Sequence, residues 1–130
     1  MEKEEKSGTR DVEALNERIY QFALRVLKVG DALPPKRVSS RVVGWQLVKA
    51  GTSTASNYEE ARGAMSRKEF VAKLAISYRE CREAVFWLRV LRDAELLAGS
   101  RMESIIQEGL EIRAILGSSL KTARSDRIRT

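Results

Sequence analysis

The chain has no histidine and only one cysteine, Cys81, among its 130 residues. Histidine is the commonest metal ligand and general base, so its absence removes the simplest metal sites and acid–base catalysts. A single cysteine can form no intrachain disulfide, and a cysteine nucleophile normally needs a histidine partner. The sequence also lacks a glycine-rich phosphate loop and a cysteine cluster that could hold zinc. These absences predict a protein without enzymatic activity, metal or cofactor.

Long apolar runs are missing as well. The apolar segments fall short of the roughly 20 residues that a membrane-spanning helix needs, and the polar N-terminus has no signal-peptide core. We therefore expect a cytoplasmic protein with no membrane contact, which agrees with the single cysteine. The composition, 43% hydrophobic and 32% charged, is enough for one core in one domain.

Apolar residues recur at spacings of three and four along most of the chain, which predicts helices and no strand. The first helix is expected to end at Gly30, and the adjacent Pro34 and Pro35 suit the start of the second. In the second helix, Val38, Val42, Trp45 and Val48 form one apolar row, and Val43 and Leu47 lie on its other side.

Two capping boxes, Ser66 to Glu69 and Ser100 to Glu103, predict the starts of the third and fourth helices. Short connections between long helices favour an antiparallel, up-down-up-down four-helix bundle. We expect the bundle to cover residues 10–120. Residues 1–9 are predicted to be a flexible segment, and residues 121–130 a basic C-terminal tail.

The stretch "KAGTSTASNYEEARG", residues 49–63, has two interpretations. It is similar to the helix-turn-helix of tetracycline-repressor-type regulators. However, Thr52 replaces the usual apolar plug, and Glu59 and Glu60 would repel phosphates. The alternative is a joint within the second helix, where small residues let a neighbouring helix approach closely. We favour the joint.

Polar side chains near this stretch form a second pattern, with spacings that place them close to one stripe. They are either a solvated face or a polar layer that sets helix register or pairs subunits. The candidates are Asn57, Glu60, Lys73, Glu80 and Glu83.

An ordered set of these residues resembles the signature of a known family. Residues 46–53, "QLVKAGTS", are followed by Ala55, Asn57-Tyr58 and Glu60-Ala61. The pattern continues through "SRKEF", Lys73-Leu74, Glu80, Glu83 and Trp87-Leu88. It is similar to the small four-helix-bundle proteins named for the protein encoded in the intervening sequence of 23S ribosomal RNA, over roughly residues 12–117. Thr54 stands where the family usually has Ile or Val, and Cys81 stands where Ala is common.

This resemblance implies a left-handed four-helix bundle that assembles into a five-membered ring with a basic surface. Nucleic-acid binding is proposed for the family. Its relative, the accessory protein of diversity-generating retroelements, binds a reverse transcriptase. The resemblance implies bundle or interface roles, and no catalytic role, for the shared polar residues Gln46, Asn57, Glu60, Lys73, Glu80 and Glu83.

The net charge of +6 permits a nucleic-acid partner. We therefore expect a non-enzymatic homo-oligomer that binds RNA or DNA without sequence specificity, since no base-reading motif is present. The candidate contacts are Arg37, Arg41, Lys49, Arg62, Arg67, Lys68, Lys121, Arg124, Arg127 and Arg129. The main alternative is a scaffold that docks a partner protein such as a reverse transcriptase, with anchors among Tyr20, Tyr58, Tyr78 and Trp87. A helix-turn-helix regulator is the less favoured alternative.

Overall fold

A computed structural model describes the backbone of residues 2–129 and the side chains of residues 13–125. Within that part of the chain there are four α-helices and no β-strand. The helices are α1 (Glu2–Ala32), α2 (Val38–Arg62), α3 (Arg67–Asp93) and α4 (Gly99–Arg129). The predicted all-α fold with four helices is confirmed, and none of the described helices is long and apolar enough to cross a bilayer.

Each helix packs against its neighbour in the chain, and α1 also lies against α4. Across the α2–α3 contact, Thr54 meets Ser77 and Glu60 meets Lys73. Residue numbers therefore rise along one helix as they fall along the other, which is the pattern of an antiparallel pair. The left-handed sense of the bundle stays a prediction.

The core takes large apolar side chains from all four helices. Phe22 of α1, Leu47 of α2, Leu88 of α3 and Leu116 of α4 are each 0% exposed. Burial of such side chains contributes roughly 1.5–3 kcal/mol each, so this interior supplies most of the driving force for folding.

Glycines let α1 and α2 approach each other closely. A Cβ atom on Gly51 would lie 2.6 Å from Cγ1 of Val26, and one on Gly30 would lie 2.7 Å from Cγ2 of Val48. The prediction that Gly30 ends the first helix is wrong, because α1 continues to Ala32. Gly30 is instead a contact point inside the helix.

The stretch at residues 49–63 lies almost wholly inside the uninterrupted helix α2. Ala50, Gly51 and Thr54 are buried there, and the Ser77 hydroxyl donates to the Thr54 carbonyl oxygen at 2.7 Å. Thr54 returns its own hydroxyl hydrogen bond to the Ala50 carbonyl, so no buried polar group is left open here. The joint interpretation is confirmed. The helix-turn-helix interpretation is wrong, because residues 51–53 form no turn.

The helix starts agree with the sequence only in part. Ser66 caps α3, with its Oγ accepting from the backbone N–H of Glu69 at 3.1 Å, as predicted. The second capping box is not the start of α4, which begins at Gly99. The α2 helix begins after Arg37, which supplies no side-chain cap, rather than at the prolines.

The two apolar rows of α2 differ in their burial. Val43 and Leu47 are buried, whereas Val38, Val42 and Trp45 are 66%, 56% and 72% exposed. The α1 and α3 helices both pack on the Leu47 side of α2. Most of the outer row is therefore exposed, while its last member, Val48, packs on α1 at Gly30.

The chain ends are helical in backbone where the sequence predicted a flexible segment and a separate tail. The α1 helix starts at Glu2, and α4 runs to Arg129 with Leu120 and Ala123 buried. The division into residues 1–9, 10–120 and 121–130 stays a prediction, and the side chains of residues 1–9 lie outside the described residues.

Replacing Gly51 with alanine tests the close approach of α1 and α2. We expect Gly51→Ala to lower the free energy of unfolding by about 1–3 kcal/mol, because the new methyl group overlaps Val26. Gly99→Ala is the matched control, since nothing lies within 4 Å of its added Cβ. Urea unfolding followed by circular dichroism measures both variants. Equal stability of the two variants would contradict the packing described here.

Candidate nucleic-acid interface

Basic side chains of α3 and α4 share one outer surface, which we call the α3–α4 basic face. The two helices meet where the Tyr78 ring packs 3.1 Å from the position of a Cβ on Gly117. The Arg82 guanidinium lies 5.9 Å from the centroid of the same ring, so it projects beside this contact. The face consists of Arg79, Arg82, Arg89, Arg113, Lys121 and Arg124, all exposed except the partly buried Arg113.

The position of Arg113 follows from its electrostatic effect on Cys81. The Cys81 thiol lies between the two helices, 3.5 Å from the Gly109 carbonyl oxygen. Burial raises the pKa of Cys81 to about 12, and the Arg113 charge opposes the rise. A thiol with this pKa is protonated at neutral pH. Cys81 is therefore a packing residue with little thiolate character.

Carboxylates are turned away from the α3–α4 basic face. On α4, Glu108 and Glu111 point to Arg18 of α1. At the far end of the face, Arg92 binds Asp93 at 2.9 Å and Glu103 at 3.4 Å. No ion pair within the described residues engages the six basic side chains. The face therefore carries an excess of positive charge, with Asp93 near Arg89 and Glu80 near Arg79 as its neighbouring carboxylates.

The ten predicted nucleic-acid contacts are not brought together. Lys121 and Arg124 lie on the α3–α4 basic face, and Lys68 lies in the first turn of α3, near one end of that face. Arg37, Arg41 and Lys49 belong to α2 and its N-cap. Arg62 contacts Glu59 at 3.8 Å, and Arg67 lines a groove at the same end of the bundle. The side chains of Arg127 and Arg129 lie outside the described residues.

Sequence reasoning missed four members of the face: Arg79, Arg82, Arg89 and Arg113. A signal was available, since Arg79, Arg82, Phe86 and Arg89 follow the three- and four-residue spacing of one helix face.

The six candidate polar-layer residues lie on α2 and α3. Some of them are in contact across the α2–α3 interface, which we call the seam. Lys73 Nζ lies 2.6 Å from Glu60 Oε2 across the seam, while Asn57 Nδ2 donates to the Ser53 carbonyl at 2.9 Å. Gln46, Asn57, Lys73 and Glu80 are partly buried, whereas Glu60 and Glu83 are exposed. Whether this layer sets register or pairs subunits stays a prediction.

Glu80 is the member of this layer whose ionised form is destabilised by its surroundings. Desolvation raises the pKa of Glu80, and the Glu83 carboxylate adds to the increase, while Lys49 and Arg79 oppose it. Glu83 is partly satisfied, because it accepts from Trp87 Nε1 at 3.3 Å. Two carboxylates close together on a half-buried seam repel each other and destabilise the folded state. A neutral side chain at one of the two positions would remove this repulsion.

A groove of about 1070 Å³ lies at the α2–α3 loop end of the bundle and is lined by all four helices. Its lining includes Leu15, Tyr58, Phe70 and Ile115, and Arg18 at its edge is paired with Glu108. Among residues 13–125 no group of three or more potential ligands is arranged for a metal ion.

The predicted aromatic anchors are mostly unavailable at the surface. Tyr58 is only 7% exposed, and Tyr78 and Trp87 are partly buried, while Tyr20 is 53% exposed. The most exposed aromatic side chain in the described part of the chain is Trp45, a member of the outer apolar row of α2.

Comparisons with known proteins agree with this architecture. The model of the family described as 23S rRNA-intervening sequence protein matches residues 13–118. A crystal structure from Bacteroides thetaiotaomicron, a protein with unknown function from the S23 ribosomal protein family, is similar at 31% identity and a TM-score of 0.75. The match covers 82% of this chain and 98% of that one. No curated protein matches significantly in sequence.

Replacing Glu80 with glutamine tests the cost of the paired carboxylates. Because the folded-state pKa of Glu80 is raised, its ionisation weakens the native state as pH rises above the ordinary value of 4.5. We expect Glu80→Gln to raise the melting temperature at pH 7 and to lose that advantage as the pH falls below about 4. Glu59→Gln, which removes a charge whose side chain is 68% exposed, is the control. An equal change in both variants at pH 7 would contradict the assignment.

Proposed function

Because the chain belongs to the 23S rRNA-intervening sequence protein family, we propose that it is a non-enzymatic accessory protein that binds nucleic acid. In this proposal the bundle assembles with copies of itself into a five-membered ring. Basic surface on the ring then holds RNA or DNA without reading its sequence.

The α3–α4 basic face is the observation that carries this proposal. Arg79, Arg82 and Arg89 spread along roughly 15 Å of α3, given a rise of 1.5 Å per residue. Arg113, Lys121 and Arg124 continue the charge on α4. Such an array neutralises phosphates and releases counterions, which provides affinity without sequence preference.

Self-assembly is supported by apolar side chains that the single chain leaves exposed. Tyr20 and Leu27 lie seven residues apart on one side of α1 and are 53% and 38% exposed. Aromatic and aliphatic groups of this kind are typical of subunit contacts. The number five comes from the family resemblance.

Neutralising the face tests the nucleic-acid proposal. We expect Arg82→Gln with Arg89→Gln to weaken binding to a labelled DNA duplex and a labelled structured RNA. The slope of log affinity against log salt should fall by about one for each lost phosphate contact. Fluorescence anisotropy across a salt series measures both quantities.

Lys28→Gln with Arg101→Gln is the matched control, because it removes the same charge beside a pocket between α1 and α4. Equal losses in the two double variants would show that net charge, and not this face, controls binding. No binding by the unmodified protein at low salt would overturn the proposal. Substitution of Lys121 and Arg124 is preferable to deletion of residues 121–130, since the deletion also removes the buried Ala123.

Light scattering after size-exclusion chromatography tests the assembly. We expect a mass five times the 14.7 kDa of one chain. A mass of one or two chains at micromolar concentration would contradict the ring. Tyr20→Ser with Leu27→Ser should shift the mass toward the monomer if α1 contributes to the subunit contact.

The groove at the α2–α3 loop end favours a second candidate function, a scaffold that docks a protein such as a reverse transcriptase. Its apolar lining is exposed at Met65, which is 93% accessible to solvent. Met65→Ser should weaken such docking and leave nucleic-acid binding unchanged, which separates the two functions in one pair of assays.

A further inference from the structure

The outer side of the first half of α2 combines an exposed tryptophan with an excess of positive charge. Trp45 is 72% exposed, and Arg41 and Lys49 lie one helical turn before and after it. Val42 and Val38 extend the apolar surface. We call this surface the Trp45 face.

The charge of the Trp45 face is predominantly positive, although Glu80 of α3 lies near Lys49. The chain contains no aspartate or glutamate between Asp31 and Glu59, while it has Lys36, Arg37, Arg41 and Lys49 in that interval. At 1.5 Å per residue, Arg41, Trp45 and Lys49 are separated along the helix by steps of roughly 6 Å. Cations at this spacing on both sides of an aromatic ring match the alternation of phosphate and base along a nucleic-acid strand.

A crevice of about 470 Å³ adjoins the tryptophan and adds a second feature. Trp45 and Arg41 line it together with Asp31, Pro34, Pro35 and Ser40. Ser40 is 4% exposed, and its hydroxyl has no hydrogen-bond partner among the described residues. Buried hydroxyl groups are normally paired, so an open one beside a crevice is consistent with a polar ligand group.

We infer that the Trp45 face binds an unpaired nucleobase of single-stranded nucleic acid. The indole ring stacks on the base, and Arg41 and Lys49 hold the flanking phosphates. This inference rests on the proposed nucleic-acid function and adds a preference for single strands. The α3–α4 basic face, which has no comparably exposed indole, holds the phosphate backbone of either form.

A second copy of the chain is a less suitable occupant of the Trp45 face. A second copy would have to supply carboxylates opposite Arg41 and Lys49, since like charges placed there cost free energy. A nucleic-acid strand supplies both the aromatic surface and the opposite charge.

Trp45 fluorescence reports directly on the stacking. The chain has two tryptophans, so Trp87→Phe leaves Trp45 as the only indole. The probes are a short DNA oligoadenylate, its RNA counterpart, and a DNA of equal length with abasic sugars in place of the adenosines. We expect oligoadenylate to quench Trp45, and the abasic strand to bind by anisotropy without quenching. The RNA arm shows whether both sugars are accepted.

Trp45→Ala should weaken oligoadenylate binding on the order of tenfold and leave abasic-strand and duplex binding unchanged. Trp45→Phe should retain most of the affinity, since a smaller aromatic ring still stacks. Quenching by the abasic strand equal to that by oligoadenylate, or no quenching despite binding, would overturn the inference. Dissociation of the assembled protein by Trp45→Ala would assign the face to a second copy and also overturn it. Loss of binding to every probe in the unmodified protein would instead be a failure of the proposed function.

Discussion

The close approach of α2 to its neighbours is the constraint on which the rest of this bundle depends. At Gly51 there is no space for even one methyl group against Val26 of α1. On the α3 side, the Ser77 hydroxyl reaches the Thr54 backbone carbonyl, which is possible only at short interhelical distance. The small residues on one side of α2 therefore allow both α1 and α3 to pack closely against it. The large side chains of the other helices can then fill the space between them.

The same constraint decides which surface of α2 is available to partners. Because α1 and α3 both pack on the side of Leu47, the side that carries Val42 and Trp45 points outward. The apolar groups on this outward side are therefore presented to solvent. A buried packing requirement thus produces an exposed aromatic surface in a segment without carboxylates.

Charge is separated between the two sides of α3. Glu80 and Glu83 lie toward α2, where Lys49 and Lys73 also lie, while Arg82 is beside α4. On α4, the carboxylates near Arg18 face α1. The outcome is a bundle with paired charges on the inner seams and unpaired cations on the α3–α4 basic face. This distribution favours a polyanion more than the net charge of +6 does by itself.

The sequence by itself determined the number and type of the elements, because spacings of three and four and the Ser66 cap are local signals that each helix carries alone. It also indicated the family, through the ordered signature of residues 46–61. It did not determine which of two apolar rows of α2 is buried, since Val38, Val42 and Trp45 suit a helix face as well as Val43 and Leu47 do. Only the tertiary structure decided that choice, together with the role of Gly30 and the gathering of Arg82 with Arg113. Each of these outcomes depends on where a second helix lies. The spacing of residues within one helix does not specify the position of its neighbour.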